Sequence, residues 1–400
     1  MQELIQILSL TGFCILAVFS AYLFVVAIAG RFSAAYKPEI SGKKLSIAVL
    51  IPAYRENAII LNTVKSAVAH PYPREKFRVF VAADQIEADI IRMMEEAGAI
   101  VLPVKFSNST KAASLNALLN FIPENEFEIA LILDADNVME EGCLEQINSA
   151  FQDGFKGVQL HRIAKNNNNE YAIIDGVIEE VNNHLFRRGQ QALGFSSHTI
   201  GSGMAFEFKK LKEIYNKPGI TDNPACDREV DFEIMKSGIK IVFLDEGYVY
   251  DEKVSESGVF YRQRLRWLES HLFHLNLFRK EKVKFKGLEY WNRLFTVLIP
   301  PRVAFIVLFL FALILFITGK YTGLKLLLPP FGYWCLAMVL FLSAMLISLP
   351  TSGNFKISFK LLPALMIMAI HYIKAFFHIR PKRKEFIHTP KNYSKSPKEE

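Results

Sequence analysis

The sequence predicts an α/β protein, with a Rossmann-like, mostly parallel sheet in one cytoplasmic domain and transmembrane helices flanking it. Three observations carry that expectation. Between about residues 45 and 280, β-branched apolar runs alternate with stretches of helical leucine spacing, the pattern of a parallel sheet covered on both faces. Polar and acidic residues stand where those runs end. Long, nearly uncharged apolar blocks occupy both ends of the chain, and 51% of the 400 residues are hydrophobic, a high share for a purely soluble protein.

The first block, Leu4 to Gly30, is long enough to cross a hydrocarbon core, which takes about 20 apolar residues. It opens Met1-Gln2-Glu3, without a basic flank or a small-residue cleavage site, so it reads as a retained helix and not a signal peptide. Arg31, Lys37, Lys43 and Lys44 follow it, and the positive-inside rule puts that side in the cytoplasm. "LSIAVLIPAYREN" then opens the domain with a strand over Ile47 to Ile51 and a helix-like stretch through Ala69. "FRVFVAADQ" is a second strand ending at Asp84, followed by a helical pattern from Asp89 to Ala97. "AIVLPV" is a third, leading to the helix-spaced leucines of "NSTKAASLNALLN". The fourth strand ends in "LILDADN". The polar "KNNNNE" run, Lys165 to Glu170, is expected as a surface loop.

Three further apolar blocks follow: Val303 to Thr318, Leu326 to Leu349, and Phe359 to Phe377, the last interrupted by Pro363, His371 and Lys374 and better drawn in the interface. The expected layout is a transmembrane helix over 1–30, a cytoplasmic domain over 31–280, an interfacial segment over 281–302, transmembrane or interfacial helices over 303–377 and a basic cytoplasmic tail over 378–400. A basic tail and an outside N-terminus call for an odd number of crossings, so the parity turns on the last block. The net charge of +7 gathers at helix flanks and in the tail, which suits anionic lipid headgroups and does not argue for nucleic acid. Cys14, Cys143, Cys226 and Cys335 are scattered without metal-ligand spacing, so no disulfide framework is expected. His161 and His198, lone histidines, are expected to be structural.

In open parallel sheets ligands bind at the carboxyl ends of the strands, where Tyr54, Glu56, Asp84, Asp134 and Asp136 fall. The chain has neither G-x-G-x-x-G after the first strand nor G-x-x-x-x-G-K-[ST], so a nucleotide's phosphates would need positive charge from elsewhere. Mg2+ or Mn2+ on Asp134 and Asp136 would supply it, since both ions take hard carboxylate oxygens alongside substrate phosphates. The competing reading of D-x-D is an Asx turn or a helix cap.

"IPAYRENAIILNTVKSA", "VAADQ", "KAASLNALL", "LDADN", "GSGMAF", "DREVDFEIMKSGIKIVFLDEGYVYDE" and "RQRLRW" together resemble, in order and spacing, the membrane-bound inverting glycosyltransferases of family 2. The resemblance covers roughly residues 45 to 280 and implies the GT-A fold. It implies that Pro52, Tyr54 and Glu56 line a nucleotide pocket, that Asp84 receives the uracil or ribose end, and that Lys111 approaches the diphosphate. Asp134 and Asp136 become the D-x-D pair, with Asp136 the direct metal ligand. Asp227 takes the place of the general base, while Cys226 stands where the family carries a glutamate. Gln263, Arg266 and Trp267 form the Q-x-x-R-W pattern beside acceptor and diphosphate. Plain alternatives stay open: a solvated helix-start lysine at Lys111, a loop cap at Asp84, a helix N-cap at Asp227, and an amphipathic interface helix around Trp267.

The expected activity is inverting transfer of a sugar from a nucleoside-diphosphate sugar, a UDP-sugar by this resemblance, to a glycan or lipid-linked acceptor. It would occur at the cytoplasmic face of the cell's inner membrane, in polysaccharide or glycolipid synthesis. With few helices to form a channel, self-association or assembly partners are expected for any polysaccharide export. The rival is a catalytically weak membrane scaffold or donor-binding subunit, which Cys226 favours.

Overall fold

A computed structural model describes residues 2–39, 42–221, 226–280, 287–350 and 359–379. The basic tail, all but its first two residues, and the start of the expected interfacial segment at 281–286 lie outside them. Along the chain come α1 (Gln2–Phe32), β1 (Ile47–Tyr54), α2 (Ile60–Val68), β2 (Phe77–Asp84), α3 (Ala88–Glu96), β3 (Ile100–Val104), α4 (Lys111–Phe121), β4 (Ile129–Ile132) and β5 (Val138–Met139). Next are α5 (Cys143–Gln152), β6 (Gly157–Ala164), α6 (Glu170–Asn183), a π turn at His184–Arg188, α7 (Gly189–Ala192), β7 (Met204–Glu207), α8 (Phe208–Tyr215) and α9 (Cys226–Lys236). Then follow β8 (Ile241–Asp251), α10 (Ser257–Lys280), α11 (Leu288–Leu298), α12 (Arg302–Thr322), α13 (Phe331–Ile347) and α14 (Leu362–Phe377).

Two compact units result. One comprises Ala35–Glu179, Ser196–Tyr290 and Asn354–Glu400. Among the described residues its eight strands run in the order β3-β2-β1-β4-β7-β6-β8-β5. Strands β3, β2, β1 and β4 are parallel, while β7 runs antiparallel between β4 and β6. Alternation within β1 shows why the sheet is covered on both sides: Ile47, Val49, Ile51 and Ala53 enter one core with α2, α3 and α5, and Ala48 and Leu50 enter the other with α4, α8 and α9. Strand side chains have a period of two, so a slip of one residue would exchange both sets. Pro52, which cannot donate to a ladder, lies just past Leu50↔Ile132, where pairing with β4 stops. Helix α4 starts where Thr110 accepts the Ala113 amide at 3.0 Å, an N-cap worth about 1 kcal/mol.

Helix α14 packs along α10: Phe260, Leu265 and Leu268 meet Ala364, Met368 and Ala375 in two small apolar clusters. A ring nitrogen of His371 bonds the Ser257 carbonyl at 2.9 Å. On the other side Leu362, Leu365, Met366, Ile370 and Phe376 are exposed.

The second unit comprises Met1–Ala34, Glu180–Phe195 and Trp291–Gly353. Helix α1 packs with α12 and α13 around Leu16, Leu23, Phe305, Trp334 and Phe341. Gly189 comes so close to α1 that a Cβ there would lie 2.6 Å from the Val26 carbonyl, and small residues are what let helix backbones approach in this way. Tyr22, Gln190 and Asn292 bond one another at 2.7–3.0 Å. The Arg31 guanidinium donates to the carbonyls of Ile347 and Leu349, acceptors that the end of α13 leaves unsatisfied.

Among the described residues three helices are long and apolar enough to cross a membrane: Gln2–Phe32, Arg302–Thr322 and Phe359–Phe377. The Leu326–Leu349 block becomes helical only from Phe331 to Ile347, because Pro329 and Pro330 precede it and proline cannot supply the amides of a helix interior.

Candidate functional site

The site is built at the carboxyl ends of β2, β1 and β4. Tyr54 and Asp84 are register partners at the ends of β1 and β2. Arg55 and Gln85, the next residues, both adopt left-handed backbone with φ of 59° and 57°, a conformation that costs non-glycine residues on the order of 1 kcal/mol each. The two turns brace each other: the Arg55 amide donates to the Asp84 carbonyl at 3.1 Å, and Arg55 Nε donates to Gln85 Oε1 at 2.8 Å. Beside them Asn57 ties its loop to Glu87 through two hydrogen bonds.

Asp84 itself is 0% exposed, and neither carboxylate oxygen has a hydrogen-bond partner among the described residues. A loop cap would show an amide on one of those oxygens. Burying an unpartnered carboxylate is costly, and such a group is ready to accept from a ligand. Pro52, Tyr54 and Glu56 stand at the end of β1, between Asp84 and the D-x-D turn, which lies two strands over at roughly 10 Å.

After β4, the Leu133 amide makes the last bond to Leu50, at 3.0 Å. The turn that follows is organised by Asn137, which sequence reading passed over. Asn137 Oδ1 and Ser202 Oγ both accept the Asp134 amide at 3.1 Å, and Ser202 donates to Asn137. The side chain that braces this turn is therefore an asparagine, and the Asp134 carboxylate is left for other work: its Oδ1 accepts from Lys111 Nζ at 2.6 Å. Asp136 is 3% exposed. Its Oδ1 accepts from Asn137 Nδ2 at 3.3 Å and its Oδ2 from the Glu252 amide at 3.1 Å.

Lys111 joins three groups. Besides Asp134, it donates to the Gly201 carbonyl at 2.7 Å and lies 3.7 Å from Asp227 Oδ1. Burial works against its charge, but Asp134 and then Asp227 outweigh burial and hold its pKa above the ordinary lysine value. Gly201, at φ +93°, passes so close to Asp227 that a Cβ would lie 2.6 Å from the carboxyl carbon. The β4–β7–β6 pairing is what brings this Gly201–Ser202 loop to the D-x-D turn.

Asp227 lies in the first turn of α9, with its side chain 42% exposed; the cap position falls at residue 225, outside the described residues. The Cys226 thiol donates to Asp227 Oδ1 at 3.9 Å. Burial first, then the Asp227 charge, push that thiol well above its usual range, so it stays neutral. Arg266 on α10 is within electrostatic reach of both Asp227 and Asp134, whose charges oppose the burial that lowers its pKa. Gln263, one turn before it, has a buried Oε1 with no partner among the described residues. Trp267 is 38% exposed. The structure thus joins Lys111 to Asp134 and Asp227, with Asp136 two residues on in the same turn, Arg266 within electrostatic reach of both Asp134 and Asp227, and Asp84 at the far end of the strand row.

For a metal, the donor set has two carboxylates. No group of three or more His, Cys, Asp or Glu side chains is placed to hold an ion among the described residues. Asp134 and Asp136, as carboxylates, each offer about four acceptor sites. They fit a hard cation that completes its shell with phosphate oxygens and water, not a closed protein cage.

One expectation from the sequence reads differently here. The "KNNNNE" run is not a plain surface loop: Lys165 and Asn166 are buried, Lys165 Nζ donates to the Asp136 carbonyl at 3.2 Å, and Asn166 exchanges bonds with the Lys253 backbone. His161 is held by the Asp245 carbonyl at 2.8 Å and lies against the rings of Phe243 and Tyr248.

Comparison with known proteins gives three findings. Residues 44–270 match the family model described as glycosyltransferase like family 2. The chain is 24% identical over 249 residues to the probable glycosyltransferase YdaM of Bacillus subtilis (strain 168), a match covering 60% of this chain and 58% of that protein. The chain therefore spans less than two thirds of that relative's length. The mannosyltransferase PcManGT of Pyrobaculum calidifontis, solved with GDP-Man and Mn2+, superposes with a TM-score of 0.55 at 15% identity, covering 87% of this chain and 99% of that one.

Proposed function

Because this chain belongs to the glycosyltransferase-like family 2, with a GT-A-like sheet, we propose that it transfers one sugar, with inversion, from a nucleoside-diphosphate sugar to an acceptor hydroxyl. The observation that carries the reading is the buried Asp84 carboxylate, without a hydrogen-bond partner among the described residues, at one end of a strand row whose other end holds the Lys111–Asp134 ion pair with Arg266 in electrostatic reach. A nucleotide needs both ends: an acceptor for a base N–H or ribose hydroxyl, and positive charge for a diphosphate.

In this reading Asp84 takes the base or ribose, with Pro52, Tyr54 and Glu56 lining that end. Uracil, which offers an N–H donor, is the base we propose. Lys111 and Arg266 meet the diphosphate, where Arg266 offers paired charged hydrogen bonds to the leaving group. Asp136, with Asp134, would hold Mg2+ or Mn2+, and the ion would add positive charge as the leaving diphosphate gains negative charge; the Mn2+ bound to PcManGT supports that choice.

The acceptor oxygen attacks the anomeric carbon, the bond from that carbon to the diphosphate breaks, and the hydroxyl proton passes to Asp227. Asp227 is open to solvent on one side and braced by Gly201 and Lys111 on the other. Gln263 and Trp267 border the acceptor, and a tryptophan face suits a sugar ring. The basic flank of α1 supports a cytoplasmic active site. In this reading α14, packed on α10, lies in the interface, and α1, α12 and α13 cross, an odd number that fits a basic cytoplasmic tail. The acceptor is a glycan or a lipid-linked glycan, consistent with polysaccharide or glycolipid synthesis.

The rival reading, a donor-binding subunit without turnover, is favoured by the neutral thiol of Cys226 beside the base. One experiment separates the two: incubate purified protein in detergent with Mn2+ and a panel of UDP- and GDP-sugars, and measure nucleotide release. Release from one donor supports transfer. Binding of a donor with no release, with or without acceptor, would leave the scaffold reading standing.

A further inference from the structure

Helix α6 carries two buried carboxylates one turn apart, Asp175 and Glu179, and residues four apart share a helix face. They bond to different parts of the fold. Glu179 accepts from Arg162 Nε at 2.7 Å and from Lys253. Lys253 also donates to Asp251 Oδ2 at 2.7 Å, and Asp251 Oδ1 accepts from Asn137 Nδ2 at 3.3 Å. That chain of bonds ends in the D-x-D turn. Asp175 instead accepts from the Arg264 guanidinium on α10, and its second oxygen accepts the Val254 amide at 3.5 Å.

Arg264 is 5% exposed. Its guanidinium carbon lies 4.5 Å from the Phe260 ring centroid and 4.1 Å from that of Trp267, and its Nε–H is buried without an acceptor among the described residues. The guanidinium is therefore oriented by Asp175 at its tip and stacked along α10 on two rings. A planar cation over an indole face is attractive, more so when desolvated, and a lysine would not reproduce the plane. Trp267 has one face covered by that cation, while 38% of the residue stays open.

We propose that Asp175 and Arg264 are positioning residues: Asp175 fixes Arg264, Arg264 fixes the Trp267 indole, and α6 thereby sets the spacing between the D-x-D turn and the helix bearing Gln263, Arg266 and Trp267. The proposal rests on the reading of Trp267 as part of the acceptor site. Neither Asp175 nor Arg264 needs to touch substrate. Their loss should appear as weakened acceptor use with the donor still bound.

The test uses full-length protein in detergent with Asp175→Asn, Arg264→Lys, and the double variant Asp175→Leu/Arg264→Met, which removes both charges so that neither is left buried alone. Acrylamide quenching of Trp267 is read as the difference between each protein and its Trp267→Phe counterpart. Donor affinity, acceptor KM, kcat and melting temperature are measured on the same samples. The expected result is at least a twofold rise in Trp267 quenching and a tenfold or greater loss of kcat/KM for acceptor in all three variants. UDP affinity should stay within about threefold of the parent, and the double variant should recover melting temperature but not transfer. Recovery of transfer together with melting temperature, or unchanged Trp267 quenching in Asp175→Asn, would overturn the inference and leave the pair a plain structural ion pair. If single variants do not fold, the double variant alone decides by the same two criteria. Should Trp267→Phe itself transfer normally, the acceptor reading of Trp267 fails and the proposal with it, whereas changed quenching would still show that the stack exists.

Discussion

Asp84 allows a prediction in which stability and binding move in opposite directions. Its carboxylate is 0% exposed and neither oxygen has a hydrogen-bond partner among the described residues, so without a ligand the fold bears the cost of a desolvated charge. That cost is several kcal/mol per ion even after relaxation. Asp84→Asn keeps the shape and removes the charge, but it leaves an amide without an acceptor, itself a penalty of about 1–3 kcal/mol. The net expectation for the ligand-free protein is a gain of about 1–2 kcal/mol, on the order of 2–8 °C for a unit of this size. The ligand-bound state loses a hydrogen bond to a charged acceptor, about 1.5–3 kcal/mol, or roughly 10- to 150-fold in nucleotide Kd. Thermal melting without ligand and equilibrium UDP binding, both in detergent, measure the two numbers. A variant that melts lower than the parent while binding UDP as well would show that Asp84 is a structural acid, and the nucleotide reading would lose its main support.

Asp227→Asn would cap a helix about as well as aspartate but cannot take a proton, so transfer should fall roughly 10²-fold or more with donor affinity little changed; steady-state kinetics beside UDP binding decide it, and a rate within a few-fold of the parent would point to Glu229. Asp136→Asn should abolish donor turnover, as should excess chelator on the parent, while membrane insertion stays normal; undiminished turnover under chelator refutes the metal assignment. Lys111 has its pKa raised above the 10.5 of a free lysine, burial opposing and Asp134 and Asp227 prevailing. The stabilisation it brings is therefore complete below pH about 10 and is lost only as pH rises further. A melting curve that declines between pH 7 and 9 in the parent but not in Lys111→Met would contradict that. A reporter fused after Lys43 should be cytoplasmic and one before Leu4 should not; the reverse would separate the site from its nucleotide supply.

Local pattern was enough for the first four of the eight described strands and for the candidate acidic positions at their ends. Ile47–Ile51 and the run ending at Asp84 are legible because each strand is buried on both faces, which writes an unbroken apolar run into consecutive residues. The positions of Asp84, Asp134 and Asp136 are legible because a chain leaving a parallel strand at its carboxyl end emerges at the edge of the sheet where ligands bind. The apolar blocks are legible because a helix in hydrocarbon must be apolar along its whole length.

What the tertiary structure decided are pairings between distant residues. That β7 runs antiparallel beside β4 delivers Ser202 to Asn137 and Gly201 to Lys111 and Asp227, yet nothing within "GSGMAF" states its partner strand. Asp175 and Arg264, 89 positions apart, and the Glu179–Lys253–Asp251–Asn137 chain look like ordinary charged residues in the sequence and only become buried pairs once α6 lies against α10 and β8. The asparagine run shows the same limit: composition calls it solvated, while the fold buries Asn166 because it can satisfy the Lys253 backbone there. The grouping of Glu180–Phe195 with the apolar helices likewise depends on Gly189 meeting Val26 and on Gln190 finding Tyr22 and Asn292. Periodicity along the chain records which side of an element is buried. It does not record which other element buries it, because that choice is made by complementary shape and charge across the whole fold.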